Sequence, residues 1–172
     1  MLKDLPLLID PTHLAVARSH LNGHVALAHM ERLRDSLCDV QGDAHINWLF
    51  AMDDKQRSTI SGGVQAQLPI LCQRCLQPML WSIDKKVALV ILTEEATENE
   101  ELPADYEAYT LTSTPVLLRT LIEDELILAL PIIARHEACP SNEYQLPEIL
   151  GEDLTFRNNP FHVLSKLKIE NQ

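Results

Sequence analysis

Residues 60–91 read ISGGVQAQLPILCQRCLQPMLWSIDKKVALVI, and their spacing decides the fold. Ile60, Val64, Ala66, Leu68 and Ile70 share even parity. Past a turn, Met79, Trp81, Ile83, Val87, Leu89 and Ile91 share odd parity, interrupted only by Lys85. Alternation with period 2 sends one set of side chains to one face of a sheet. The stretch predicts two strands joined through Cys72-Gln73-Arg74-Cys75, with Gly62-Gly63 as a bulge. Just upstream, Ile46, Trp48, Phe50 and Met52 alternate with His45, Asn47 and Leu49 before an Asp53-Asp54 turn. That adds a third strand, giving an antiparallel β-meander.

The flanks change period to 3.6. Asp10-Pro11 is a helix start, because Asp accepts from orphan N–H groups and Pro at the first position loses nothing. Leu14, Ala17 and Leu21 then fall on one face, with Asn22-Gly23 as the stop. A second helix is expected from about Ala28 to Leu37, burying Met30, Leu33 and Leu37. Thr114-Pro115 begins the most apolar helix, expected over 115–130, with Leu117, Leu118, Leu121, Ile122, Leu128 and Ala129 buried and Pro131 at its end. Asn159-Pro160 starts a short amphipathic C-terminal helix through Phe161, Leu164 and Leu167. The fold class is α+β, a meander packed with N-terminal helices, a long apolar helix and a short C-terminal one. One domain is expected over 1–172, with an irregular segment at 137–158.

Charge narrows the function classes. The 172 residues carry 14 Lys+Arg against 25 Asp+Glu, a formal charge of −11, whereas a general electrostatic binder of nucleic acid is basic. Seven of the acids (Glu94, Glu95, Glu98, Glu100, Glu101, Asp105, Glu107) lie in residues 94–107, which hold no base and read as an acidic loop. The longest nearly apolar run, Leu126–Ala134, is broken by Pro131 and falls well short of the ~20 residues a bilayer needs. The N-terminal apolar stretch is cut by Pro6 and ends at Asp10, unlike a signal h-region. Four cysteines do not form a secreted framework, so a cytoplasmic chain with reduced thiols is expected.

Cys72-x-x-Cys75 is the sharpest chemical motif. Two thiolates two residues apart can bind one zinc, but zinc takes four ligands. His136-x-x-Cys139 offers the other two across a sixty-residue gap. Three readings stay open: a structural zinc site of Cys72, Cys75, His136 and Cys139; buried reduced cysteines acting as small hydrophobes; or a redox dithiol. The last prefers a CxxC at a helix N-terminus, whereas this one leads into a strand past Pro78.

Other groupings read as structural. His13, His20, His24 and His29 crowd the N-terminal region as ordinary surface histidines, without the acid of a zincin motif. Glu123-Asp124-Glu125 diverge by about 100° per helical residue, so they cannot converge on one substrate. Glu125 is expected in an ion pair, with Arg119 and Arg135 as candidate partners. No phosphate-cradling glycine loop and no credible Ser/His/Asp set is present. Arg74, Lys85, Lys86, Lys166 and Lys168 make the small basic clusters, read either as ordinary solvated charges or as contacts for RNA or a partner, with Arg74 and Lys86 expected to meet on one sheet edge.

Leu71-Cys72-Gln73-Arg74-Cys75-Leu76-Gln77-Pro78, Glu123-Asp124-Glu125-Leu126-Ile127-Leu128-Ala129-Leu130-Pro131 and Asn159-Pro160-Phe161-His162-Val163-Leu164-Ser165-Lys166-Leu167-Lys168 together resemble the bacterial YceD family, the large ribosomal RNA subunit accumulation proteins. The resemblance runs from about Leu5 to Lys168. It implies a cytoplasmic, non-enzymatic factor needed for synthesis, processing or stability of 23S ribosomal RNA, with large-subunit ribosomal RNA as partner, directly or through a protein. Other branches of the family carry a second cysteine pair near His136 and Cys139, where this chain has one Cys and one His. The alternatives are an acidic adaptor docking a basic ribosomal protein or RNA-processing enzyme, and a CxxC thiol oxidoreductase.

Overall fold

The computed structural model describes residues 5–93 and 102–139, all within one compact unit that ends at Cys139. The expected C-terminal helix, most of the 137–158 segment, residues 94–101 of the expected acidic loop, Lys166 and Lys168 lie outside the described residues. The elements in order are β1 (Leu8–Ile9), α1 (Pro11–Val16), β2 (His20–Ala26), a 3₁₀ turn (Leu27–His29), α2 (Glu31–Arg34), β3 (Asp43–Met52), β4 (Ser58–Leu71), β5 (Pro78–Thr93), β6 (Glu107–Leu111), β7 (Val116–Leu117) and α3 (Leu118–Leu128). The result is mixed α and β around a mostly antiparallel sheet.

The sheet runs β2-β3-β4-β5-β6, antiparallel except for the parallel β5–β6 pair. The expected alternation holds: Ile46, Trp48, Phe50, Ile60, Val64 and Leu68 are fully or almost fully buried on one face. Each such side chain contributes roughly 1.5–3 kcal/mol by leaving water. α1 covers β3 and β4, and α3 covers β4 and β5, so the core fills one side of the sheet. The opposite face carries His45, Asn47 and Gln65 towards solvent.

Several expectations are corrected. The first helix ends at Val16, and His20–Ala26 is a strand with Gly23 opposite Ile46. Asp10 does cap α1, accepting from the N–H groups of Thr12 and His13 at 2.9 and 3.1 Å. The second helix shrinks to a 3₁₀ turn and the single α-helical turn of α2, though Met30 and Leu33 are buried as expected. No long apolar helix spans 115–130 among the described residues. Val116 and Leu117 instead pair with Ile9 and Leu8, which leaves α3 eleven residues. α3 ends before Pro131, and Leu128 is 68% exposed. Glu107 opens β6 rather than closing an acidic loop.

Gly62-Gly63 is not a bulge, since the β3–β4 and β4–β5 registers run through it without an extra residue. Gly62 has φ +146°, and a Cβ there would sit 1.9 Å from the Asn47 carbonyl oxygen. Glycine is required by close approach of β3, not by a change of register.

Candidate metal centre

β4 and β5 form the longest pairing, from Ser58 opposite Ile91 to Leu71 opposite Pro78. The turn at its tip closes tightly. Cys72 N–H donates to Gln77 O at 3.0 Å, and Leu76 N–H donates to Cys72 O at 2.8 Å. Leu76 takes the left-handed conformation at φ 57° that lets the chain fold back.

The second half arrives from the far end of α3. Gln73 N–H donates to Ala134 O at 2.8 Å, and the Gln73 side-chain amide donates to Ile132 O at 3.3 Å. Ala134 is buried in the core, so residues 132–136 lie as a strap along the hairpin tip. This brings Cys72, Cys75, His136 and Cys139 together, with one ligand atom from each within 4.8 Å of all the others. The four residues expected from sequence converge.

Two of the ligand-to-ligand distances match the edges of a tetrahedral ion site. Bonds of about 2.3 Å to sulfur and about 2.05 Å to nitrogen set S–S edges of about 3.8 Å and S–N edges of about 3.5 Å. Cys72 Sγ lies 3.8 Å from Cys139 Sγ, and Cys75 Sγ lies 3.4 Å from His136 Nδ1. All four cysteines of the chain are free thiols, with Cys38 exposed and apart.

Electrostatics differ between the sulfurs. Burial works to raise the Cys72 thiol, but the backbone N–H groups of Cys75, His136 and Arg74, aided by the Cys75 side chain, outweigh it and lower it to about 5. The His136 N–H donates to Cys72 Sγ at 3.5 Å. Burial pushes the Cys139 thiol up, and the neighbouring Cys72 and Cys75 add to the rise, taking it to about 11. Without a cation, then, the pocket favours one thiolate and resists another. A bound divalent cation reverses the second preference, because a coordinating thiol is deprotonated outright.

The basic residues are not brought together. Arg74 is exposed on the knuckle. Lys86 lies opposite Gly63, eight residues along β5 from Pro78, about 26 Å away at ~3.3 Å per residue. Lys85 points the other way, its Nζ 2.7 Å from Oε2 of buried Glu125. Glu125 does form an ion pair, with Lys85 rather than Arg119 or Arg135. Its sequence signal was the Lys at an inward position of β5, which needs a buried carboxylate.

Glu123 is the residue that sequence reasoning missed. It is 4% exposed and accepts from the N–H groups of Arg32 and Leu33 at 2.6 and 2.9 Å, capping α2 from another element. The Arg32 guanidinium bonds Glu123 at 3.3 Å, Asp124 at 2.6 Å and the Thr120 carbonyl at 3.1 Å. The acidic triplet thus locks α3 to α2 and to β5.

No described helix is long and apolar enough to cross a membrane. A family model described as large ribosomal RNA subunit accumulation protein YceD matches residues 60–168. The large ribosomal RNA subunit accumulation protein YceD of Haemophilus influenzae is 33% identical over 168 residues, spanning 95% of this chain and 96% of that protein. No solved structure matches the chain significantly. With more than half its length matched and a relative aligned almost end to end, the chain belongs to the YceD family.

Proposed function

We propose that this chain is a cytoplasmic, non-enzymatic factor that supports the synthesis, processing or stability of 23S ribosomal RNA. Its partner is large-subunit ribosomal RNA, reached directly or through a protein. Membership of a family named for large-subunit ribosomal RNA accumulation carries the reading. Deleting the gene should lower 23S relative to 16S RNA and deplete free large subunits on sucrose gradients. Normal 23S levels and a normal profile would reject it.

Within that role, Cys72, Cys75, His136 and Cys139 hold a structural zinc ion. The tetrahedral edge lengths and the soft three-sulfur, one-nitrogen donor set support zinc. Filling all four positions with protein ligands is the mark of a structural rather than catalytic site. A dithiol oxidoreductase fits less well, because Cys72 is fully buried and the motif caps a β-hairpin. Elemental analysis of untagged protein purified under reduction should find one zinc per chain; a metal-free, folded protein would reject the assignment.

A second reading, an adaptor for a ribosomal protein or processing enzyme, draws on exposed apolar residues near the knuckle. Leu76, Leu80 and Ile132 are 69%, 66% and 96% exposed. Pull-down of a protein without RNA from nuclease-treated extract would favour it.

A further inference from the structure

Two of the histidines that crowd the N-terminal region, His20 and His24, join His45 on the open face of the sheet. His24 lies opposite His45, and His20 opposite Leu49, with these side chains directed away from the core. One cross-strand row runs Asn22, Asn47, Gly63, Lys86, and the next runs His24, His45, Gln65, Asp84. His20 Nε2 hydrogen-bonds Asn47 Oδ1, and the Gln65 amide donates to Asp84 at 3.3 Å. Gly63 leaves the open face bare between Ser61 and Gln65, in a concavity of about 450 Å³ walled by His45, Asn47, Leu49, Ser61 and Gln65. A second cleft of about 550 Å³ begins at His24 and includes His29, Asp43 and Arg119. The His24–His45 pair joins the two.

We infer that this face binds a short single-stranded RNA segment, with bases over the Gly63 floor and phosphates towards Lys86 and, at the β2 edge, the cleft that Arg119 lines. The inference rests on the ribosomal RNA role proposed above and assigns it a surface. Three chemical features favour this occupant. Charge is the first: in a chain of net −11, Lys86, His20, His24 and His45 lie on this face, and His29 and Arg119 line the adjoining cleft, Arg119 4.0 Å from Glu31, with Asp43 and Asp84 at the margins. Hydrogen-bonding capacity is the second, since side-chain amides present a donor and an acceptor together, the pairing that reads a base edge. Shape is the third. A bare glycine strand admits a flat ring against the backbone, and imidazole planes stack on unpaired bases.

A protein partner fits this face less well, because protein interface centres are apolar and Leu49 is the one large aliphatic side chain in the concavity. Double-stranded RNA fits poorly too, as its readers span about 16 base pairs. The three gaps between β2 and β5 cover about 14 Å, about four nucleotides at the ~3.4 Å stacked spacing.

The test uses the full-length protein and a fluorescein-labelled RNA of roughly 12 nucleotides, read by anisotropy at about 100 mM salt. Gly63→Val fills the floor without disturbing the strand: the nearest atom to its Cβ is the Lys85 carbonyl oxygen at 3.5 Å, and valine suits a strand. Gly63→Val and Lys86→Glu should each weaken binding about tenfold or more, the scale of one lost base or phosphate contact, at unchanged melting temperature. Arg74→Glu, at the distant tip, should change it less than about twofold, and a duplex of the same sequence should compete about tenfold less well. Parent-like binding by both face variants overturns the inference, as does absence of binding by the parent protein or equal competition by duplex. Complementation of a deletion strain separates the two readings. If the parent gene restores 23S RNA and Gly63→Val restores it equally, the surface is wrong and the role stands. If deletion leaves 23S RNA unchanged, the role itself fails whatever the anisotropy shows.

Discussion

The acidic triplet of α3 and the thiol cluster at the hairpin tip both fasten the end of the chain's described region to the sheet. They do so with opposite degrees of self-sufficiency. Glu123 finds two backbone donors and a guanidinium from residues some ninety positions away, and Glu125 finds an ammonium at 2.7 Å. Every charge there has a protein partner of opposite sign or a good donor. At the tip, sulfurs face sulfurs and an imidazole, and the same surroundings that lower one thiol raise another. Only a cation satisfies all four ligands at once. One fastening is complete in the folded protein; under the zinc assignment proposed above, the other is conditional on metal supply.

Removing metal is the strongest way to break that contrast. With free zinc a thousandfold above Kd, the site contributes about 4 kcal/mol, so chelation should lower Tm by roughly 8–16 °C for a chain of this size. Calorimetry with and without chelator measures it; identical curves would make the two fastenings alike. Metal-free protein should also depend on pH with a definite sign. The lowered Cys72 gives stability that is fully present above the ordinary thiol value of 9.0 and is lost as pH falls through about 5. The raised Cys139 gives stability that is present below 9.0 and is lost as pH rises through about 11. The two predict a maximum near pH 9 for this contribution without metal, flattened once zinc is bound.

Next in size is Glu123→Ala. It leaves the Arg32 and Leu33 N–H groups without their acceptor and Arg32 without its inner carboxylate, costing about 3 kcal/mol in urea unfolding. Metal content should stay at one per chain, because the tip does not share these partners.

Lys85 and Lys86 make a smaller and sharper test, being adjacent in sequence and opposite in direction. Lys85→Met leaves buried Glu125 without its cation and should cost about 2 kcal/mol, discounted because Lys85 is partly exposed. Lys86→Met should stay within about 0.5 kcal/mol. The double variant Lys85→Met/Glu125→Leu should return most of the loss, since a well-packed apolar pair replaces a buried ion pair at little net cost. Equal effects of the two single variants would show that Glu125 does not depend on Lys85.

What was legible in the sequence follows the range of the interactions. The central strands were readable because parity is a local signal, and the Cys/His cluster because two short spacings each bring together two side chains of metal-binding type. β2 was misread because Asn22-Gly23 looks like a helix stop, although Leu21, Gly23 and Val25 already alternate with His20, Asn22 and His24. The apolar spacing overextends α3 because Val116 and Leu117 pair with β1, a contact between segments more than a hundred residues apart. β6 was hidden by the acidic run beside it and by its parallel pairing, which no short turn announces.

The N-cap of α1 supplies the local end of that scale. Asp10 accepts from Thr12 and His13, two and three residues on, in an exposed position. Water can take over both donors when the carboxylate is removed, unlike the donors that Glu123 satisfies between packed elements. Asp10→Ala should therefore cost only about 1 kcal/mol, against about 3 for Glu123→Ala, though each carboxylate accepts two backbone N–H groups. Asp10→Asn, which keeps an acceptor at the cap, should recover most of the difference. An Asp10→Ala loss as large as that of Glu123→Ala would mean that α1 is held by its cap rather than by burial of Pro11 and Ala15.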